Sequence, residues 1–104
     1  LFVRNYMNVN IKKPAEIALR SLEKKEQRKI IRALTELETS NADELFQNQK
    51  LHKLIVHSEE KLYSYLGTLK LRLILSIDDN QIFVEDILNH DRLERLLSSQ
   101  RGKA

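Results

Sequence analysis

Between Leu71 and Leu88 the chain has little choice but to pair with itself as two antiparallel strands. Leu69, Leu71, Leu73, Leu75 and Ile77 alternate with Lys70, Arg72, Ile74 and Ser76, the two-residue period of a strand with one buried face. Asp78, Asp79 and Asn80 then interrupt the apolar run, and Asp and Asn are the residues that accept the left-handed backbone of a tight hairpin turn. Gln81–Leu88 resume as the partner strand. The same period places Arg72 on the face opposite the leucines.

Upstream, residues 8–11 offer a short alternating strand. Pro14 suits the first turn of a helix, where its missing N–H leaves nothing unsatisfied. Ala15, Ala18, Leu19 and Leu22 fall at helical spacing. The pattern breaks at Glu23–Glu26 and resumes with Ile30, Ile31, Leu34 and Leu37. Two antiparallel helices with a tight connection account for the break, since a continuous helix would bury Glu26. Ser40 to Asp43 read as cap and turn residues. Residues 41–60 read as a loop with a short helical turn, anchored by Leu45, Phe46, Leu51, Leu54 and Ile55. A strand near residues 62–66 precedes a turn at Gly67-Thr68. Leu93, Leu96 and Leu97 predict a short terminal helix. The expected fold class is α+β, with an N-terminal strand, a helical hairpin on one face of a small, mainly antiparallel sheet, and a short C-terminal helix.

A chain of 104 residues supports one domain with one modest core. Its expected limits are residues 7–97, with 98–104 fraying and 1–6 an extension upstream of a start at Met7. The chain has no cysteine, which excludes disulfides and thiolate metal sites and suits a reducing, cytoplasmic setting. No apolar run reaches the roughly 18 residues that span a bilayer, so no membrane partner is expected. The net charge of +3 is too small to argue nucleic-acid binding by itself. Its distribution is uneven: Lys12, Lys13, Arg20, Lys24, Lys25, Arg28, Lys29 and Arg32 face only Glu16, Glu23 and Glu26 in the same stretch. That flank suits phosphate, an acidic protein, or plain solvation.

Asn89, His90 and Arg92 follow the last strand and supply an amide, an imidazole and a guanidinium within four positions. Together with Arg72 in the neighbouring strand they form a set able to bind and cut a phosphodiester: guanidinium groups neutralise phosphate, and imidazole is the side-chain type that exchanges protons near neutrality. The bland reading is a solvated sheet edge, or an Arg72 paired with an acid such as Glu85. Tyr63 and Tyr65 share a strand face and are candidates for stacking on RNA bases, against the commoner role of a packed ring with a wetted hydroxyl. Lys50 and Lys53 are candidate phosphate contacts beside His52 and His57, which read as solvated loop residues. The three histidines lack zinc-ligand spacing, so no metal and no cofactor is expected.

Three segments resemble the RelE/ParE family of bacterial toxins from type II toxin–antitoxin pairs, over nearly the whole chain from Met7 onward. Asn10-Ile11-Lys12-Lys13-Pro14-Ala15-Glu16-Ile17-Ala18-Leu19 is similar to the family's first strand and helix. Lys50-Leu51 followed by Leu62-Tyr63-Ser64-Tyr65 is similar to its Lys-Leu segment and Tyr-containing strand. Leu71-Arg72-Leu73-Ile74-Leu75 with Asn89-His90-Asp91-Arg92 stands where the family has its arginine strand and terminal Gly-His-Arg element.

The resemblance implies an antitoxin partner in a hetero-oligomer. It also implies, for a RelE-like member, cleavage of mRNA on the ribosome, with Arg72 on the scissile phosphate, His90 as general acid or charge stabiliser, and Arg92 as a nearby cation. The chain departs from several members in having Tyr63 and Tyr65 where they place lysines, Leu96 where many place a terminal tyrosine, and no aromatic residues flanking Arg72. The alternatives it leaves open are a ParE-like gyrase-binding toxin and a catalytically inactive antitoxin-binding module.

Overall fold

The computed structural model describes residues 6–56 and 59–101; His57 and the ends at 1–5 and 102–104 lie outside them. The elements are β1 (Asn8–Ile11), α1 (Lys13–Arg20), α2 (Lys24–Glu38), α3 (Ala42–Gln47), β2 (Leu51–Lys53), β3 (Leu62–Leu66), β4 (Leu71–Asp78), β5 (Gln81–Asn89) and α4 (His90–Arg101). The five strands form one sheet in the order β1-β5-β4-β3-β2. Every pairing is antiparallel except the parallel edge between β1 and β5. The α+β expectation stands.

Local chemistry accounts for the breaks. Pro14 lies in the first turn of α1. The α1–α2 connection spans residues 21–23, just ahead of the expected Glu23–Glu26, and is clasped by Gln27, whose Nε2 donates to the Leu19 carbonyl at 3.0 Å. Asn41 and Glu44 make a reciprocal capping box that starts α3. Asp79 adopts φ 56° in the β4–β5 turn, the left-handed conformation that Asp tolerates better than most residues.

The leucine stripe of β4 faces α1 and α2. Leu71, Leu73, Leu75, Ile82, Val84 and Ile87 pack there with Ile30, Leu34, Leu37 and Tyr65 in the main core. The opposite face is not open. Ile74 and Leu88 pack with Leu54 and Leu93 in a second apolar cluster, joined by Leu62, Leu96 and Leu97. The expectation of one buried face is therefore corrected: α4 lies across β4 and β5, and the sheet is covered on both sides.

Other departures are local. Leu69 is not on the strand but in the turn before it, 93% exposed. Residues 51–53, read as loop, form the edge strand β2. The C-terminal helix begins at His90, not near Leu93, and continues through Arg101.

A bulge between β4 and β5 has a chemical consequence. Ile74 pairs with Asp86 but Leu75 pairs with Val84, leaving Glu85 as the extra residue. A bulge lets two consecutive side chains leave on the same side. The Ser76 hydroxyl donates to Glu85 Oε2 at 2.7 Å, and Asp86 stands opposite Ile74, so both carboxylates lie on the α4 side.

Candidate functional site

The β4–β5 register decides what meets what. Arg72 pairs with Leu88 and Leu71 with Asn89, so Arg72, His90 and Arg92 gather at one end of this ladder. Arg72 is on the α4 face, as the strand period requires. Asn89 closes β5 and caps α4: its Oδ1 accepts the Arg92 backbone N–H at 2.8 Å, satisfying one of the free donors of the first turn. His90, the next residue, is exposed, as is Arg92.

Arg72 is half-buried, and its Nη1 donates to the Thr68 carbonyl at 2.9 Å, with longer contacts to the Leu71 carbonyl at 3.3 Å and the Leu69 carbonyl at 3.4 Å. It does not pair with Glu85, which takes the Ser76 hydroxyl instead. Every one of these bonds runs from Nη1, and among the described residues Nε and Nη2 remain for a ligand.

The tyrosines lie elsewhere. Tyr65 pairs with Leu73 and Tyr63 with Leu75, which puts both on the helix side, opposite Arg72. Tyr65 is 1% exposed. Its hydroxyl donates to Glu36 Oε1 at 2.8 Å and accepts from Asn48 Nδ2 at 3.3 Å. Lys50 Nζ holds both Glu36 oxygens, at 3.0 and 3.1 Å. Burial pushes the Tyr65 hydroxyl pKa well above its ordinary value, and the Glu36 carboxylate beside it adds to the rise. For Glu36, burial acts upward but is outweighed by the hydrogen bonds from Lys50 and Tyr65 and by the charges of Lys50 and Arg32, so its pKa falls.

Tyr65 and Lys50 thus form a network tying α2 to the sheet, and the expected role of Tyr65 in stacking on RNA is corrected. Tyr63 is half-buried, edge-on to Phe46 at 5.9 Å and 66°. Lys53 is exposed but pairs with Tyr63 on β2, also away from the Arg72 face. The aromatic and cationic groups read together from the sequence are therefore split between two faces.

Arg92 borders two clefts. One, of about 510 Å³, runs between α1 and the start of α4, with Lys13, Ile17, Ile87 and Asn89 in its wall. The other, of about 460 Å³, lies under α4 and includes Ile74, Glu85, Asp86 and Arg95. Asp86 borders both. Glu36, Asn48 and the capping role of Asn89 escaped sequence reasoning. Among the described residues, no group of three or more His, Asp or Glu side chains is placed to hold a metal ion, and no helix is long and apolar enough to cross a membrane.

No protein-family model and no curated protein matches the sequence. Solved structures do match the fold. A chain of the archaeal RelE–RelB complex from Pyrococcus horikoshii is 25% identical, with a TM-score of 0.65 over 84% of this chain and 98% of that one. The toxin–antitoxin complex RelBE2 from Mycobacterium tuberculosis matches at 16% identity and TM-score 0.56, over 82% of this chain and 99% of that one. The YoeB dimer from Staphylococcus aureus matches at 20% identity and TM-score 0.53, over 82% and 98%.

Proposed function

The chain has the fold of the RelE-family type II toxins, and from that premise we propose that it is held inactive by a cognate antitoxin and, when free, cleaves mRNA on the ribosome. The observation that supports the reading is the register that pairs Arg72 with Leu88, two residues before the exposed His90, at one end of the β4–β5 ladder. In the proposed reaction the RNA 2′-hydroxyl attacks its own phosphorus, losing its proton to solvent. The bond to the 5′-oxygen breaks, and His90 protonates that oxygen as it leaves, giving a 2′,3′-cyclic phosphate and a 5′-hydroxyl. Arg72, through Nε and Nη2, and Arg92 stabilise the charge that builds on the phosphate oxygens. The ribosome orients the message in this reading.

A second reading is a ParE-like toxin that blocks gyrase by binding alone. It is favoured by the placement of Tyr63, Tyr65 and Lys50 on the helix side and by the commitment of Arg72 Nη1 to turn carbonyls. Induced expression separates the two. The nuclease reading expects arrested translation with new transcript 5′ ends, abolished by His90→Ala. Growth arrest with intact transcripts, DNA damage and filamentation would overturn it. Co-expression with the gene adjacent to this one tests the antitoxin: the expected result is a stable co-purifying complex, and free protein from the intact gene pair would count against it.

A further inference from the structure

The turn over residues 67–71 is tied by several hydrogen bonds and holds a leucine in water. The Gly67 and Thr68 N–H groups both donate to the Leu71 carbonyl at 3.1 Å, and the Leu71 N–H returns to the Thr68 carbonyl at 3.3 Å. Thr68 Oγ1 accepts from the Lys70 and Leu71 N–H groups at 3.1 and 3.0 Å. Arg72 clamps the same turn through the Thr68 carbonyl. These bonds leave Leu69 no route back to the core, and it stays 93% exposed. An apolar group held rigid in advance loses little freedom on contact, which favours binding.

The surroundings are cationic. Gly67 forms part of a cleft of about 290 Å³ with Lys29, Arg32, Glu36 and Lys50. Its one carboxylate, Glu36, is already held by Lys50 and Tyr65, while Lys29, Arg32 and Lys70 are exposed. From this geometry we infer that the 67–71 turn and the cleft at its base form an RNA-binding surface on the α2 side, separate from the His90 end. Lys29 and Arg32 hold backbone phosphates, and Leu69 packs against a base. The inference rests on the RNA-directed function proposed above.

An acidic protein fits less well. Protein hot spots centre on a desolvated apolar anchor seated in a pocket, whereas this cleft is small and lined mainly by charged side chains, and Leu69 stands exposed beside it. RNA offers phosphates for the cations and an exposed base face for the leucine. Arg72 is then a positioning residue for this surface as well as a phosphate ligand at the site.

The test is fluorescence anisotropy with a labelled 2′-O-methyl RNA hairpin, which lacks the attacking hydroxyl and cannot be cut. Lys29→Glu with Arg32→Glu is expected to weaken binding at least tenfold and to flatten the log–log salt dependence by about two, the loss of two phosphate contacts. Lys24→Glu with Lys61→Glu, the same charge change away from the cleft, should stay within threefold of the parent. Leu69→Ala should weaken binding threefold or more with the salt slope unchanged. All the substituted side chains are exposed, and matching thermal melts establish that each variant is folded.

No binding by the parent protein, equal losses in the two charge-reversed variants, or a neutral Leu69→Ala would overturn the surface. So would a cleft whose reversal weakens only antitoxin binding. Transcript cleavage is read separately: cleavage without this binding removes the surface and spares the nuclease. Binding of the expected kind with intact transcripts does the opposite.

Discussion

Tyr65→Phe isolates the polar network that ties α2 to the sheet. The ring is buried at 1% exposure, and removing only its hydroxyl keeps that packing, so no cavity cost enters. What disappears is the 2.8 Å bond to Glu36 Oε1 and the 3.3 Å bond from Asn48. A hydrogen bond to a charged group contributes about 1.5–3 kcal/mol. The Glu36 side chain is 38% exposed and keeps Lys50, so water replaces part of the loss, and the expected cost is about 1–2 kcal/mol. For a domain of this size each kcal/mol lowers the melting temperature by about 4–8 °C.

The pH dependence has a definite sign. Glu36 has its folded pKa held below its ordinary 4.5, so its pairing stabilises fully above that value and is lost as pH falls through the folded pKa. Urea unfolding of parent and variant should therefore show the full gap at pH 7, narrowing in the acid range as Glu36 becomes neutral. A gap below about 0.5 kcal/mol at pH 7, the scatter of ordinary surface substitutions, would refute the argument. So would a gap that does not change with pH.

Gly67→Ala would place a Cβ 2.6 Å from Ile30 Cδ1; Ile30 is fully buried, so chemical denaturation should show a loss of about 1–3 kcal/mol, partly recovered by adding Ile30→Val. Ile74→Ala should cost about 2–4 kcal/mol in the same assay, because this residue is 2% exposed beneath α4; a surface-like cost would show that α4 leaves the sheet. Asn89→Ala removes the cap of α4 and should cost about 1 kcal/mol, with faster amide exchange at Arg92 and reduced toxicity through a displaced His90.

The parts legible in the sequence were those set by local pattern. The β4 leucines announced their period, Asp79 its turn and Pro14 its helix start, and the break between two helices was visible, though it falls at residues 21–23 rather than Glu23–Glu26. What escaped depended on register and on contacts between distant segments. Tyr63 and Tyr65 visibly shared a face, but only their pairing with Leu75 and Leu73 showed that it was the helix face. Glu36 sits 29 residues before Tyr65, and nothing local links them.

The second core was written in Ile74 and Leu88, apolar residues on the face taken as polar, yet recognising it required α4 to fold back over them. A strand of three residues, β2, is too short for periodicity to reveal. For the candidate site, the register carries Arg72 to the end of the ladder from which His90 and Arg92 continue, whereas the bulge that turns Glu85 and Asp86 to one face has no signature in a single sequence.

The most direct test of the proposed chemistry is the end group left on a cut message. Purified toxin is added to message-programmed ribosomes and, separately, to the free message, and the products are resolved with His90→Ala as comparison. The account predicts cleavage only on the ribosome, fragments ending in 2′,3′-cyclic phosphate and 5′-hydroxyl, and at least a hundredfold slower cutting by the variant. Fragments bearing 5′-phosphate, or cutting that persists unchanged without the imidazole, would contradict it.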